Sequence, residues 1–164
     1  MKPLIVLIAA FLISLIVLKL LRGSYHFAFA GRIAMAAMLL FTSIAHFAFT
    51  KGMAMMLPDI IPYKTGIVYI TGIIEIAIAI GLLIPGVKLP VAWFLIAFLI
   101  LLLPANIYAA LYNVDYQQAN YNCKGISYLW FRIPLQVLFI VWTYLCAIKF
   151  NPPIKMHQKG FETF

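Results

Sequence analysis

Residues 57–86 read LPDIIPYKTGIVYITGIIEIAIAIGLLIPG and contain the pattern that decides the fold. Two prolines, Pro58 and Pro62, mark a short loop, and an apolar stretch follows and ends at a Pro-Gly pair. An apolar run of about 20 residues between turn signals predicts a transmembrane helix. One carboxylic acid, Glu75, lies near the middle of this stretch, although the whole chain has only four acidic residues.

The composition of the chain supports a membrane environment. Of its 164 residues, 66% are hydrophobic and 10% are charged, and the mean hydropathy is +1.06. A soluble domain is about half apolar and a quarter charged. The 12 Lys and Arg residues outnumber the 4 Asp and Glu residues, but the cations cluster at predicted helix ends, where they face lipid headgroups. The composition therefore predicts an integral membrane protein in contact with membrane lipids, and it argues against a nucleic-acid partner.

Apolar runs and polar breaks predict an all-α, polytopic membrane protein with five transmembrane helices. The predicted spans are about Pro3–Leu21, Gly31–Phe49, Thr65–Ile84, Pro90–Leu111 and Ile126–Ile148. The first span has no small-x-small cleavage site before its C-terminal cations, so we expect an uncleaved anchor. The predicted division is an anchor helix with a basic linker (1–30), a four-helix bundle (31–149) and a basic tail (150–164).

Lys and Arg residues are distributed unequally between the two sides of these spans. One side collects Lys19, Arg22, Arg32, Lys88, Lys149, Lys155 and Lys159. The other side collects Lys2, Lys51, Lys64 and Lys124. Because loops rich in Lys and Arg stay in the cytoplasm, we expect the N-terminus outside and the C-terminus in the cytoplasm, across a bacterial cytoplasmic membrane.

Four predicted helices carry polar side chains in the half of the membrane that this orientation places outermost. The candidates are His46, Thr71, Glu75, Asn106, Tyr128, Arg132 and Gln136. A charge in hydrocarbon costs several kcal/mol unless it is paired or hydrated, so such residues normally face the bundle interior or a wet cavity. We therefore predict one shared polar cluster in which Arg132 pairs with Glu75.

Helical spacing supports this cluster. Thr71 and Glu75 are four residues apart and share one face of their helix. Two further stripes have the same spacing, Tyr128–Arg132–Gln136 and Thr42–His46–Thr50. Tyrosines and one tryptophan near these positions are expected to form an interfacial belt.

Two prolines inside the predicted helices favour a pocket beside the cluster. Pro104 and Pro134 each leave a carbonyl one turn earlier without its usual donor. Kinked helices around polar residues predict an apolar-walled cavity with Glu75 near its floor. The loop 57–62, stiffened by its prolines, is expected to form a lid over the outer end.

The same residues also allow a structural interpretation. A pair between Glu75 and Arg132 can fix the register of two helices without binding a ligand. Asn106 and Gln136 can join helices by a hydrogen bond. Close helix approach is the expected role of three glycines in the third span, Gly66, Gly72 and Gly81.

Metal or redox chemistry within the chain has weak support. Met53, Met55 and Met56 offer thioethers that suit Cu(I), but methionine is also a common core filler. Cys123 and Cys146 form no C-x-x-C motif and lie at opposite ends of the last predicted span. The sequence contains no phosphate-binding glycine loop. The cofactor stays open, with a quinone as the compatible small molecule and no metal or nucleotide.

Five motifs, in order along the chain, resemble those of the DoxX-like membrane proteins. They are His46-Phe47, LPDIIP, TGIIEIAIAIGLLIPG, LLLPANIYAAL and LWFRIPLQVLFIVW. The resemblance covers about residues 31–149 and implies a four-helix transmembrane bundle. The family is tied by name to a thiosulfate:quinone oxidoreductase subunit, and some members are reported as partners in membrane redox complexes. Glu75, Asn106 and Arg132 match polar positions of these motifs.

Two classes of function follow. In the first, the bundle binds a small amphipathic ligand (a quinone or a lipid-like molecule) or serves as the membrane subunit of a redox complex. Glu75 would then exchange a proton, Arg132 would hold its charge, and Asn106 and Gln136 would orient the ligand. In the second, the chain is a non-catalytic assembly factor or interaction partner with a structural polar cluster. A membrane redox protein and a second copy of the chain are the expected partners.

Overall fold

The described part of the protein is built from helices, and five of them are long and apolar enough to cross a membrane. The computed structural model describes residues 2–121 and 126–150, with the side chains of 126–128 excepted. The helices are α1 (Lys2–Arg22), α2 (Phe27–Ala48), α3 (Thr50–Ala54), α4 (Lys64–Leu83), α5 (Lys88–Leu111) and α6 (Ile126–Thr143), which continues as a π-helical segment (Tyr144–Lys149). The prediction of an all-α membrane protein with five candidate spans is confirmed.

Helix α2 differs from its predicted span at both ends. It begins at Phe27, four residues before the predicted start at Gly31. Arg32 therefore lies inside the helix, where its guanidinium is 5.4 Å from the centre of the Phe29 ring. A long cationic side chain can cover an aromatic ring while its charge stays near the helix end, so this residue does not mark a boundary. After Ala48 the chain enters the short helix α3, which was predicted as loop.

Helix α2 is the central element of the bundle. It packs along α4 and α1, and it also contacts α6 and the π-helical segment. Helix α5 packs against α4 and against α6, so these helices share one apolar core with α2. Helix α1 packs on α2 and adds an edge-to-face ring contact between Phe11 and Trp142, with centroids 5.0 Å apart.

Gly31 allows the start of α2 to lie directly against the end of the last span. The indole N–H of Trp142 donates to the Gly31 carbonyl at 3.1 Å. The Cys146 side chain occupies the space that a Cβ on Gly31 would need. Glycine is therefore the residue that permits this approach, and the hydrogen bond fixes the position of the indole.

The connector end is the end of the bundle at which α2 ends, α4 begins and α5 ends. Here Gly52 of α3 lies so close to the backbone of Tyr116 that a Cβ would overlap it. Met56 is buried with Ala109 and Val114 in a small second core, and the other methionines of the segment pack around it. These methionines fill space at the connector end.

The three glycines of α4 have different surroundings. A Cβ on Gly72 would lie 2.9 Å from the Cβ of His46 on α2, and one on Gly81 would lie 2.8 Å from Val91 on α5. Among the described residues, no atom lies within 4 Å of the same position on Gly66. The predicted role in close helix approach is confirmed for Gly72 and Gly81 and is wrong for Gly66.

We expect Gly72→Ala to destabilise the protein because the new methyl group would push α2 away from α4. Forcing a methyl into a filled interface costs about 1–3 kcal/mol. Gly66→Ala on the same helix is the matched control, since it adds a methyl in open space and replaces glycine by a better helix former. Thermal unfolding in a mild detergent, followed by circular dichroism, measures both. Equal midpoints for the two variants would show that α2 and α4 are not in this close contact.

Candidate functional site

The polar network between α2 and α4 is the candidate site. Glu75 is buried, and its two carboxylate oxygens have different partners. Oε1 lies 3.4 Å from Nε2 of His46, and Oε2 accepts a hydrogen bond from the Thr42 hydroxyl at 2.8 Å. The other ring nitrogen of His46, Nδ1, lies 3.2 Å from the Thr71 hydroxyl. Four side chains thus form one continuous hydrogen-bonded and ionic set.

Helical periodicity brings these four side chains to one interface. Thr42 and His46 are one turn apart on α2, and Thr71 and Glu75 are one turn apart on α4. The glycine after Thr71 lets α2 come close at this level. The predicted face of Thr71 with Glu75 and the predicted stripe of Thr42 with His46 therefore meet each other. Thr42 was not among the candidate site residues, and its spacing of four from His46 is the signal that identifies it.

The geometry of the network accommodates one additional proton. With a neutral His46, the Thr71 hydroxyl can donate to Nδ1, while Nε2 lies 3.4 Å from a carboxylate oxygen of Glu75. With a protonated His46, both ring nitrogens are donors, and the Thr71 oxygen accepts from Nδ1. The Thr71 hydroxyl then donates to the Val68 carbonyl, which lies 2.8 Å away. The change requires only a rotation of the Thr71 hydroxyl, so the contact between Thr71 and His46 persists in both states.

Ser43 adds a buried hydroxyl to α2, one residue after Thr42 and three before His46. It is 1% exposed and continues a buried row of α2 formed by Met35 and Leu39 at four-residue intervals. Among the described residues, its oxygen has no hydrogen-bond partner. Leaving a buried hydroxyl unpaired costs about 1–3 kcal/mol. Ser43 lies three residues before His46, so this unused donor faces the bundle interior at the level of the network.

Arg132 lies elsewhere than predicted. Within the described residues, the side chain at ion-pair distance from Glu75 is His46 rather than Arg132. The Arg132 guanidinium lies 5.8 Å from the centre of the Tyr116 ring, and that ring packs edge-on against Phe49. Arg132 therefore connects α6 to the connector end. Depth along each helix suggested the pair with Glu75, but depth does not reveal which helix is the neighbour, and α4 packs chiefly on α2.

Asn106 and Gln136 form a separate contact between α5 and α6. The Asn106 amide donates to Oε1 of Gln136 at 3.3 Å, and the Gln136 amide donates to the Leu99 carbonyl. Leu99 directly precedes the residue whose carbonyl loses its donor because Pro104 has no N–H. The single predicted cluster is therefore divided into an α2–α4 network and an α5–α6 contact. The side chain of Tyr128 lies outside the described residues.

A cavity of about 420 Å³ opens at the connector end, beside the 57–62 loop. Its walls are formed by Ala54, Met55, Asp59, Lys64, Thr65, Tyr108, Tyr112 and Tyr121. Lys64 is eleven residues before Glu75 on α4, about 16 Å along the helix. This cavity thus differs from the predicted one, because its walls contain none of the predicted site residues, although the predicted lid contributes Asp59.

These features define the class of the protein as a helical membrane protein with a buried ionisable pair between two of its spans. The chain belongs to the family described as a domain of unknown function (DUF8561), whose profile matches residues 35–147. The matched segment includes all four side chains of the α2–α4 network as well as Ser43, Asn106 and Gln136. No curated protein and no solved structure matches the chain.

A double-mutant cycle on Glu75→Leu and His46→Leu tests the pair. Each single change should be strongly destabilising, because it leaves one buried polar partner behind. The double change should cost less than the sum of the two, with a coupling energy of about 0.5–3 kcal/mol. The free energy of unfolding, measured by titration with a denaturing detergent, gives this value. The matched cycle of Glu75→Leu with Gln136→Leu should be additive, since Gln136 belongs to the other contact. Additive losses at Glu75 and His46 would show that the pair is not formed.

Proposed function

We propose that the chain is a DoxX-like membrane protein that binds a small amphipathic molecule, quinone-like or lipid-like, beside the α2–α4 network. The buried pair of His46 with Glu75 carries this proposal. Ionisable side chains inside membrane helices are costly and usually mark a functional site. The pair also lies in a network in which the contact between His46 and Thr71 can persist when a proton is taken up or released, which suits a ligand that changes its own protonation.

Different side chains would interact with different parts of such a ligand. Ser43 supplies a buried hydroxyl that can donate to a ligand carbonyl, and the imidazole of His46, which is 13% exposed, supplies a second polar contact. Glu75 and His46 together hold or release the proton that the ligand exchanges. The apolar walls of the neighbouring helices accept the hydrophobic part of the molecule. Electrons for a quinone would come from a partner subunit, so the chain would act as the membrane subunit of a redox complex.

Two observations support the assignment to the DoxX-like proteins. The motif positions of the resemblance include Glu75 and Asn106, and both make contacts between neighbouring helices. The mutual contacts of α2, α4, α5 and α6, with α1 packed on α2, are compatible with a four-helix bundle that carries one additional N-terminal helix.

A structural function is the second candidate. Each of the four network side chains has a partner within the network, so the network can serve only to hold α2 on α4. In that case the chain would be an assembly factor or a non-catalytic partner of another membrane protein. The two candidates predict different effects of Ser43→Ala on the bound ligand, because Ser43 contributes no hydrogen bond to the network among the described residues.

We also propose that the connector end faces outward and that the C-terminus is cytoplasmic. Lys19, Arg22, Arg32, Lys88 and Lys149 all lie near the helix ends opposite the connector end. Such a bias keeps that side in the cytoplasm. Fusions of a reporter that is active only in the cytoplasm, placed after residue 150 and before residue 2, should be active in the first case and inactive in the second. The opposite pattern would reverse the orientation.

We expect Glu75→Gln and Ser43→Ala to lower the amount of quinone or lipid that copurifies with the protein. Glu75→Gln removes the proton-exchanging group at nearly constant shape, and Ser43→Ala removes the unused hydroxyl. Loss of a hydrogen bond worth about 1.4 kcal/mol corresponds to a tenfold weaker affinity. Protein extracted in a mild detergent is analysed by native mass spectrometry and by organic extraction of the bound molecules.

Thr143→Val is the matched control for Ser43→Ala. Its hydroxyl is equally buried but already donates to the Phe139 carbonyl within its own helix, at 2.8 Å. Copurified ligand should be unchanged in this variant. Unchanged ligand content in both Glu75→Gln and Ser43→Ala, with Glu75→Gln less stable, would contradict ligand binding and support the structural candidate.

A further inference from the structure

We propose that the cavity at the connector end binds a zwitterionic headgroup in which an organic ammonium lies next to a phosphate, as in phosphocholine and phosphoethanolamine. This site is separate from the α2–α4 network. The two lie about 16 Å apart along α4, and no wall residue of the cavity belongs to the network. Its volume of about 420 Å³ falls within the range of small-molecule sites.

Three tyrosine rings supply the ammonium side of the site. Tyr108 and Tyr112 lie one turn apart at the end of α5, with ring centroids 4.3 Å from each other. Tyr121 approaches from the connection after α5 and lines the same cavity. The faces of aromatic rings attract organic cations, and several rings around one cavity form the arrangement that recognises quaternary ammonium groups. A general interfacial belt accounts for rings at this depth, but it does not account for their convergence on one cavity.

The ion pair of the cavity supplies the complementary charges. Nζ of Lys64 lies 2.5 Å from Oδ1 of Asp59, and the Asp59 side chain is 96% exposed while that of Lys64 is 22% exposed. A zwitterionic headgroup matches this pair charge for charge. Its phosphate can pair with Lys64, and its ammonium can pair with Asp59 and contact the tyrosine rings. Neither protein charge is then left unpaired, which an anionic headgroup without an ammonium would not achieve.

The position of the cavity suits a headgroup. It lies where α4 begins and α5 ends, which is the level at which membrane helices meet the headgroup region. Met55 gives one wall an apolar surface, and the loop that carries Asp59 exposes Ile60 almost fully, at 89%. A lipid headgroup in the cavity would therefore have apolar protein surface near its acyl chains. A soluble phosphocholine or phosphoethanolamine compound presents the same headgroup chemistry without the chains.

The test uses the full chain in a maltoside detergent, which contains neither ammonium nor phosphate. Isothermal titration compares phosphocholine, dihexanoyl phosphatidylcholine and dihexanoyl phosphatidylglycerol as ligands. We expect the phosphatidylcholine to bind more tightly than the phosphatidylglycerol. Binding of phosphocholine with the same affinity as the phosphatidylcholine would identify the headgroup alone as the ligand, whereas tighter binding of the lipid would identify the lipid.

Tyr108→Leu and Lys64→Gln each remove one half of the site. Tyr108→Leu should lower the affinity for phosphatidylcholine by about 2- to 30-fold, which is the range expected for loss of one cation–π contact, from an exposed contact to a desolvated one. Lys64→Gln removes the charge at the start of α4 and keeps most of the side-chain volume, so it tests the site even if Tyr108→Leu does not fold. Tyr25→Leu, at the opposite end of the bundle, is the matched tyrosine control and should not change the affinity. The amount of quinone that copurifies under the proposed function should be unchanged in Lys64→Gln, which separates the two sites.

Three results would overturn the headgroup site. The first is equal affinity for phosphatidylcholine and phosphatidylglycerol. The second is undiminished affinity for phosphatidylcholine in Lys64→Gln and in a folded Tyr108→Leu. The third is no binding of any of the three probes to the wild-type protein.

Discussion

The cost of a carboxylic acid within an apolar membrane helix is the constraint on which the arrangement of the bundle depends. Glu75 has to be paired, and in this protein the partners come from the neighbouring helix α2. His46 faces one carboxylate oxygen at 3.4 Å and Thr42 the other at 2.8 Å. These contacts require α2 and α4 to be close. Gly72 has no side chain, and this allows the two helices to approach each other at this level. The pairing of Glu75 thus depends on the close contact of α2 with α4 and in turn stabilises it.

Helix number and position could be predicted from the sequence because they depend on local composition. An apolar run of about 20 residues is recognisable without knowledge of its neighbours. The boundaries were less reliable where a polar side chain lies inside a helix, as Arg32 does above Phe29, and where helical structure continues after a bend, as in α3. The polar faces of α2 and α4 could also be predicted from residue spacing, since residues four apart lie on the same side of a helix.

The partner of Glu75 could not be predicted from the sequence. Residues at similar depth on four helices allow several pairings, and Arg132 was chosen because it carries a full charge. The fold instead places α4 against α2, so His46 becomes the partner of Glu75, while Arg132 lies over Tyr116. Gln136 likewise contacts Asn106 and a carbonyl near the Pro104 kink. Helix adjacency is set by the packing of the whole bundle, which a single sequence does not specify.

The central claim is that His46 and Glu75 are in contact within the membrane. Solid-state NMR of the protein in lipid bilayers, with ¹⁵N-labelled histidine rings and ¹³C-labelled glutamate carboxylates, measures this contact directly. The chain has only three histidines, so the signals can be separated. The structure predicts dipolar coupling between one imidazole nitrogen and one glutamate carboxylate, lost in Glu75→Gln. No coupling between any histidine ring and any glutamate carboxylate in bilayers would contradict the account.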